Sequence, residues 1–543
     1  MSDALSIGLT ALVAAQTGIN TTSNNIANAS TIGYSRQSVI QNENISSTGT
    51  QVTDIQRIYD NFLASQKLSA QSSYSQLQAQ SAQLQKITSM LSDPSAGIAA
   101  NMQSFFSSLQ AISITPNDPT SRQSFLSNAD TLVSSFNDAQ TVVDGISKDV
   151  NTQISNSVNN INTIAKQIAS LNSSIFNAKQ SANPGTANSM LDSRDTLLAD
   201  LSKIIQVKVV ANGNSTNIFI GNGQPLVMGS SFNQLDTIAS STNPNNIEVA
   251  FNINGNKTPI SQNNLSGGTL TGLITFRNNT LPTVQNAIGR IALGLASSMN
   301  TINTTGKTLN GSTGAKLFTV PEIQVDAHSA NTGTAKIDVT YGDISKISTS
   351  DYSLQKVAEG KYNLIRISDN TLLRSGTPTE INTAAAIEGL NISFLPAETN
   401  VSIGDQFTIR PTANVAGGLS LAITDVNAIA AASSTGAVGD NSNVLKMIAL
   451  QTNKTTLAKG SLSLTDAYAN MVGDVGSKSQ ALISTSTTAN AVLKQASNAL
   501  DSVAGVNLDE EAANLLKYQQ AYQAAGKLIA ASKLMFDTLF NIA

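Results

Sequence analysis

Two segments, one at each end of the chain, carry residues at alternating steps of three and four, the spacing of one stripe on a long helix. The N-terminal stripe comprises Leu5, Leu9, Leu12, Gln16, Ile19, Ser23 and Ile26. The C-terminal stripe comprises Leu508, Glu511, Leu515, Tyr518, Tyr522, Ala525, Ile529, Ser532, Phe536 and Leu539. Because polar residues interrupt both stripes, neither helix can be stable alone. We expect the two ends to pair as an antiparallel coiled coil; the alternative is that each packs separately on a globular core.

The same spacing recurs in longer internal segments and predicts several long helices. It runs through Leu63, Ala70, Leu77, Leu84 and Leu91, from Val150 to Ile175, and from Tyr468 to Val503. A shorter helical segment spans about 281–302. Long helices with narrow apolar stripes on both flanks of a chain are typical of an elongated bundle.

The middle of the chain alternates short β-branched runs with Asn and Gly turns, which predicts antiparallel strands. These runs are 206–211, 217–220, 247–253, 335–341, 362–368, 392–395 and 407–410. We therefore expect an α+β protein, elongated and multidomain, with paired terminal helices, a long helical bundle and inserted antiparallel β modules. The expected domains are a terminal helical domain (1–35 with 506–543), a helical bundle domain (36–205 with 270–305 and 421–505), a small β module (206–269) and a β-rich outer domain (306–420).

The composition excludes several kinds of catalytic and metal site. The 543 residues include no Cys and one His, His328. Thiolate zinc sites, cysteine nucleophiles and two-His metal sites therefore cannot form within this sequence. A Ser-His-Asp triad would have to use His328, but its neighbours supply no partner and we expect a turn residue. We predict no catalytic residue, no cofactor and no metal ion.

Two short motifs have a structural interpretation that we favour over a functional one. Gly267–Gly272 looks like a phosphate-binding loop, but no strand precedes it and no Lys-Ser/Thr pair follows it. A turn that leads into a helix is therefore expected there. Asp192-Ser-Arg-Asp195 supplies two carboxylates and an arginine without any sign of a cleft. We expect helix caps and surface ion pairs at that position.

The charge pattern argues against binding to nucleic acid or insertion into a membrane. Charged residues make up 12% of the chain and the formal net charge is −4, whereas globular proteins usually contain about 25% charged residues. No basic patch is present for nucleic acid, and weak charge repulsion between copies favours self-association. No segment approaches the ~18 apolar residues of a membrane-spanning helix. Before Arg36 the chain has a single charge, Asp3, so the basic region of a cleavable signal peptide is missing.

Both ends resemble the bacterial flagellar axial proteins, a family of rod, hook and hook-associated subunits. Residues 6–20 and 23–37 are similar to the N-terminal signature of this family, which includes Asn24, Asn25, Asn28, Gly33 and Tyr34. Residues 506–526 and 536–541 are similar to its C-terminal signature, and 191–198 and 267–277 also match. Residues 33–37 are most similar to the hook-associated members. The chain departs from the family pattern at 301–305, and most of the β-rich middle shows no resemblance.

The resemblance implies a structural, non-enzymatic subunit that joins the flagellar hook to the filament. It implies export through the flagellar type III apparatus without signal cleavage, and a location in the extracellular flagellum. The implied partners are other copies of the chain, the hook protein, the third hook-associated protein and an export chaperone. We expect assembly contacts at Leu5, Leu9, Leu12, Ile19 and Ile26, and assembly and chaperone contacts at Leu515, Tyr518, Tyr522, Ile529, Phe536 and Leu539.

Two other functions stay open at this point. A rod or hook subunit would share the N-terminal signature, although residues 33–37 and the chain length argue against it. A secreted enzyme on a flagellar scaffold would need a site within 206–420 that uses Asp, Glu or Ser chemistry. Because the terminal stripes are weak, we expect mobile ends in the monomer. Protease should then trim the chain to about residues 40 and 500, leaving one resistant core.

Overall fold

The computed structural model describes residues 2–43, 49–92, 97–180, 185–213, 215–383, 388–395, 400–437, 439–454 and 456–542. Its helices are α1 (Ser2–Ala27), α2 (Asn61–Leu91), α3 (Ile98–Ile114), α4 (Pro119–Lys179), α5 (Asn188–Ile204), α6 (Gly268–Thr275), α7 (Leu281–Thr305), α8 (Pro378–Thr383), α9 (Val415–Gly418), α10 (Ser442–Ala449), α11 (Leu464–Ala504) and α12 (Leu508–Ile542). A π-helical segment, Phe276–Thr280, joins α6 to α7.

The strands are β1 (Gln37–Glu43), β2 (Thr50–Arg57), β3 (Val207–Asn212), β4 (Ser215–Ile220), β5 (Gln224–Met228), β6 (Ser231–Phe232), β7 (Gln234–Ala239), β8 (Ile247–Ile253), β9 (Asn256–Pro259), β10 (Phe318–Thr319), β11 (Gln324–Ala327), β12 (Lys336–Tyr341), β13 (Tyr352–Ala358), β14 (Lys361–Arg366), β15 (Thr371–Gly376), β16 (Leu390–Leu395), β17 (Gln406–Arg410) and β18 (Ser420–Leu421). The predicted α+β class is confirmed, and each predicted strand has a counterpart within a few residues.

The long axis of the helical bundle is set by α4, which has 61 residues and a length of about 90 Å. The Asp118 carboxylate caps its start by accepting hydrogen bonds from the Thr120 and Ser121 amides, which satisfies two donors that lack helical partners. Its apolar stripe is buried from Val150 to Ile175, as the periodicity predicts, and the buried positions continue back to Phe125, which was not predicted. At the α3 end of the bundle, the ring of Phe105 contacts those of Phe106 and of Phe125 in α4, each at 5.2 Å between centroids.

The two β regions lie in separate antiparallel sheets beside the bundle. The small module contains the sheets β3-β4-β5-β6 and β7-β8-β9, and the outer region contains β11-β17-β13-β14-β15 and β12-β16. The hairpin β1–β2 has no counterpart among the predicted strands. Its residues are mostly polar and few are buried, so the alternation that indicates a strand is weak there.

Helices α1 and α12 pack antiparallel, which confirms that the two ends of the chain meet. Gly8 lies against Ile529 and Gly18 against the ring of Tyr518, and Asn25 is hydrogen-bonded to Glu511. Contact positions rise from Gly8 to Asn25 along α1 while their partners fall from Ile529 to Glu511 along α12, so the two helices run in opposite directions with nearly constant register. The supercoil of a coiled coil stays a prediction.

The terminal pair lies outside the hydrophobic core. The contiguous cluster of buried apolar residues extends in sequence from Leu84 to Val475 and includes no described residue of α1 or α12. Hydrophobic burial is the main source of folding free energy, so this pair has little stabilisation of its own. Among the described helices, none has the length and apolar character that crossing a bilayer requires.

Candidate functional site

The face of α1 that contacts α12 is made of small residues, not of the predicted leucine stripe. Gly8, Gly18 and Asn25 are buried and contact α12, and each lies one residue before a member of the predicted stripe. One residue corresponds to a rotation of about 100° around the helix. Cβ atoms built at Gly8 and Gly18 would lie 2.7 Å from Ile529 and 2.4 Å from the Tyr518 ring. Ile529 and the Tyr518 ring therefore fit against α1 only where its residues lack a side chain.

This rotation leaves Leu5 and Leu9 on the free side of α1. Leu5 and Leu9 are 48% and 57% exposed, and Leu12, Ile19 and Ile26 are half-buried. Leu5 and Leu9 therefore do not face α12 as the stripe predicted, and assembly contacts at the five residues stay a prediction. Leu9 instead lines an open apolar groove of 530 Å³ between α1 and the hairpin, together with Val13, Ala14, Thr17, Val52 and Ile55.

The predicted C-terminal stripe faces α1 over the middle of α12 and is uncovered toward its end. Leu515, Tyr518 and Ile529 are half-buried, whereas Tyr522 and Phe536 are 37% and 61% exposed. In the register set by the Gly8 and Gly18 contacts, Phe536 lies past Ser2, the first described residue of α1. Leu539 lies in α12, but its side chain is outside the described part of the structure.

Asn25 is the centre of a polar junction at the other end of the helix pair. Its side-chain nitrogen donates to the Gln37 carbonyl at 2.9 Å and to the Glu511 carboxylate at 3.0 Å. Its side-chain oxygen accepts from the Tyr34 hydroxyl at 2.7 Å and from the Gln37 amide at 3.0 Å. Asn25 is 1% exposed, and these four bonds saturate its amide. It therefore fixes α1, the following loop, β1 and α12 relative to one another.

The other motif residues shape the loop that reaches this junction. Asn28 donates to the carbonyl and side-chain oxygens of Asn24, both at 2.9 Å, on the exposed side. Gly33 has φ +83°, and a Cβ there would lie 2.5 Å from the Thr196 hydroxyl of α5, so both conformation and space favour glycine. Burial raises the pKa of Tyr34 to about 12, with added contributions from the charges of Asp192 and Glu511.

A buried ionic cluster joins the hairpin to α5, and sequence reasoning missed it. Arg57 at the end of β2 contacts Asp192 and Asp195, each at 2.7 Å, and the three side chains are 7%, 12% and 21% exposed. Burial raises the pKa of Asp195 although Arg57 opposes this. The expectation of caps and surface pairs at Asp192 and Asp195 is therefore wrong. The local motif marked the position, but no local signal could identify a partner 135 residues away.

Arg36 connects the same junction to α11 and α12. Its backbone amide donates to the Ala504 carbonyl and its carbonyl accepts from the Ile58 amide, both at 2.8 Å. Its guanidinium forms an ion pair with Glu510. The junction thus ties the terminal helix pair to the bundle through hydrogen bonds from several directions. Such an arrangement can transmit force and fix an angle between two parts of a molecule.

The carboxylates of a cleft outside the junction, and His328, have structural partners. A cleft of 840 Å³ between bundle and outer region contains the carboxylates of Asp144, Glu248 and Asp351. These accept hydrogen bonds from Gln140, Ser240 and Asn286 respectively. His328 is a turn residue whose Nδ1 accepts from a backbone amide. Over the described ranges, no group of three or more His, Asp and Glu residues could hold a metal ion.

Four family models match the chain. Its middle matches the flagellar hook-associated protein FlgK helical domain over residues 84–318 and the flagellar hook-associated protein 1 D2-like domain over 327–411. Its ends match the flagella basal body rod protein model over 5–34 and the flagellar basal body rod FlgEFG protein C-terminal model over 496–542. The ends thus carry features shared among axial proteins, and the middle carries features of one branch.

Relatives match along the whole chain. Flagellar hook-associated protein 1 of Escherichia coli strain K12 is 35% identical, and that of Salmonella typhimurium is 33% identical, with 100% of both chains covered in each case. The solved structure of the flagellar hook junction protein FlgK from Burkholderia pseudomallei matches with a TM-score of 0.75 and 26% identity, covering 81% of this chain and 100% of that one. These matches and the paired terminal helices show that the chain belongs to the flagellar hook-associated protein 1 family.

Proposed function

We propose that this protein is a structural subunit of the extracellular bacterial flagellum at the junction between hook and filament. The observation that carries this function is full-length similarity to flagellar hook-associated protein 1, at 35% identity over the whole of both chains. The rod or hook alternative is less well supported. The rod models match the ends, whereas residues 84–318 and 327–411 match domains of hook-associated proteins.

Assembly would proceed by folding of the terminal pair against neighbouring copies. No described residue of α1 or α12 belongs to the hydrophobic core, and the face of α1 that contacts α12 consists largely of small residues. Meanwhile Leu5, Leu9 and Phe536 stay exposed. Neighbouring subunits in a homo-oligomeric zone would cover these side chains, and the ordering of the ends would then be coupled to incorporation.

The remaining partners follow from the same terminal surfaces. An export chaperone would bind the exposed apolar side chains of α12 before secretion through the flagellar type III apparatus. In the assembled flagellum, the hook protein and the third hook-associated protein would lie on either side of the junction zone. We propose no catalytic role, because the carboxylates of the large cleft accept structural hydrogen bonds.

A point variant tests this function without deleting a domain. Leu9→Asp places a charge on the free face of α1, where Leu9 is 57% exposed, and should abolish motility and incorporation while circular dichroism stays unchanged. Val210→Asp, at a 39% exposed position of β3, is the matched control and should assemble normally. Normal junctions in Leu9→Asp would contradict assembly through the terminal helices. Immunogold label along the whole hook would instead favour a hook subunit.

Limited proteolysis of the monomer tests the coupling of folding to assembly. We expect trimming at both ends to about residues 40 and 500, because the terminal pair lacks a core of large apolar residues. Resistance of both ends in the monomer at the level of the bundle would contradict coupled folding. That result would leave the place of the protein in the flagellum untouched.

A further inference from the structure

Arg290, on α7, differs from the other arginines of the chain because it has no hydrogen-bond partner among the described residues. The other eight each donate at least one hydrogen bond. No described residue accepts one from Arg290, and its Nε is buried. Burial lowers the pKa of Arg290, with no carboxylate acting in the opposite direction. A buried donor without an acceptor is costly, so this guanidinium is suited to a group that the chain does not supply.

The guanidinium lies in a small pocket between α7, α11 and the loop that precedes β13. The pocket has a volume of about 100 Å³. Its polar side chains, beside Arg290, are Thr280, Thr283, Thr349, Asn470, Asp474 and Lys478. One carboxylate therefore stands beside two cations, and hydroxyl and amide donors surround them.

We propose that this pocket binds a small oxyanion, held by Arg290 with help from Lys478. The planar guanidinium can donate two parallel hydrogen bonds to a phosphate or carboxylate group. A pocket of about 100 Å³ has room for about three water molecules, which suits an inorganic phosphate or a single carboxylate. The bound group would connect the bundle to the outer β region, since Thr349 belongs to the latter. This site is independent of the terminal helices and of the proposed function.

Titration of inorganic phosphate into the purified full-length protein tests the site. Binding is followed by the ³¹P line width and by the midpoint of thermal unfolding at constant ionic strength, because a ligand that binds the native state raises that midpoint. We expect saturable binding that Arg290→Gln weakens at least tenfold. Arg374→Gln is the matched control, since Arg374 donates to a backbone carbonyl on the exposed surface, and it should bind like the wild type. If Arg290→Gln fails to fold, Arg290→Lys replaces it and should show intermediate affinity.

A parallel titration with acetate distinguishes two sources of the oxyanion. Tighter binding of phosphate indicates a free inorganic anion, whereas tighter binding of acetate indicates an acidic side chain of a neighbouring copy. Either result supports the site if Arg290→Gln removes it. Phosphate and acetate effects that are equal in wild type and Arg290→Gln would overturn the proposal. Binding that appears only in Asp474→Asn would also overturn it, because Asp474 would then be the partner of Arg290 in solution.

Discussion

Replacing Arg57 with Met would leave Asp192 and Asp195 enclosed without the guanidinium that contacts both. Removing one partner of a buried ion pair costs about 3–5 kcal/mol, because the remaining charge stays desolvated. Since Asp195 is 21% exposed, we expect a value near the lower end. A loss of ~3 kcal/mol in the free energy of local unfolding raises the equilibrium constant for local opening roughly 10²-fold.

The surface ion pair of Lys86 and Asp149 provides a control with the same nitrogen–oxygen distance. Its nitrogen–oxygen distance is also 2.7 Å, but its side chains are 46% and 48% exposed. Exposed pairs contribute about 0–1 kcal/mol because water screens them and the side chains lose entropy. We therefore expect Lys86→Met to change local opening by less than about fivefold. The comparison sets a buried guanidinium that contacts two carboxylates against an exposed ammonium group that contacts one.

Hydrogen exchange read by mass spectrometry measures both variants. Peptides from β1, β2 and α5 should lose protection in Arg57→Met, while peptides from α4 should not. The defect should shrink as the pH falls, because burial raises the pKa of Asp195 and a protonated Asp195 no longer needs a cation. Equal protection loss in Arg57→Met and Lys86→Met, or a defect that grows on acidification, would refute the reasoning.

Three further predictions concern single positions. Asn25→Ala should weaken the helix pair by about 2–3 kcal/mol, since the buried Glu511 loses a donor, whereas the exposed Asn24→Ala should have little effect; exchange rates of α1 amides measure the difference. Gly18→Ala should speed tryptic cleavage within α12, because the added Cβ would collide with the Tyr518 ring. Gly526→Ala is the control: its Cβ would meet nothing within 4 Å, and the higher helix propensity of alanine should slow cleavage. Burial opposes ionisation of Glu388, but hydrogen bonds from Arg366 and Tyr352 outweigh it and lower the pKa of this carboxyl. Glu388 therefore adds stability above its unfolded pKa that is lost as the pH falls through its folded pKa, and Glu388→Gln should remove this acid-dependent part of the calorimetric unfolding curve.

The positions of the long helices and the meeting of the chain ends could be predicted because periodicity is a local property. The length of α4 was missed, since the predicted segment covers only Val150 to Ile175 of its 61 residues. A step of three and four along 35 residues fixes one face of α12 whatever surrounds it, and the structure keeps that face toward α1 from Glu511 to Ile529. The strands β3, β4, β8, β12, β14, β16 and β17 were predicted for the same reason, because β-branched residues alternate there, whereas others such as β7 and β13 were missed. The hairpin β1–β2 lacks that alternation, and local patterns could not find it.

The choice between adjacent faces of α1 required the tertiary structure. Its sequence contains two heptad stripes one residue apart, a leucine stripe and a small-residue stripe, and periodicity alone does not rank them. The side chains of Tyr518 and Ile529 decide, because they fit only where Gly8 and Gly18 leave space. The surroundings of Arg57 and Arg290 also depend on the tertiary structure. Segments that are distant in sequence surround each guanidinium, and residue spacing does not predict which charges meet there.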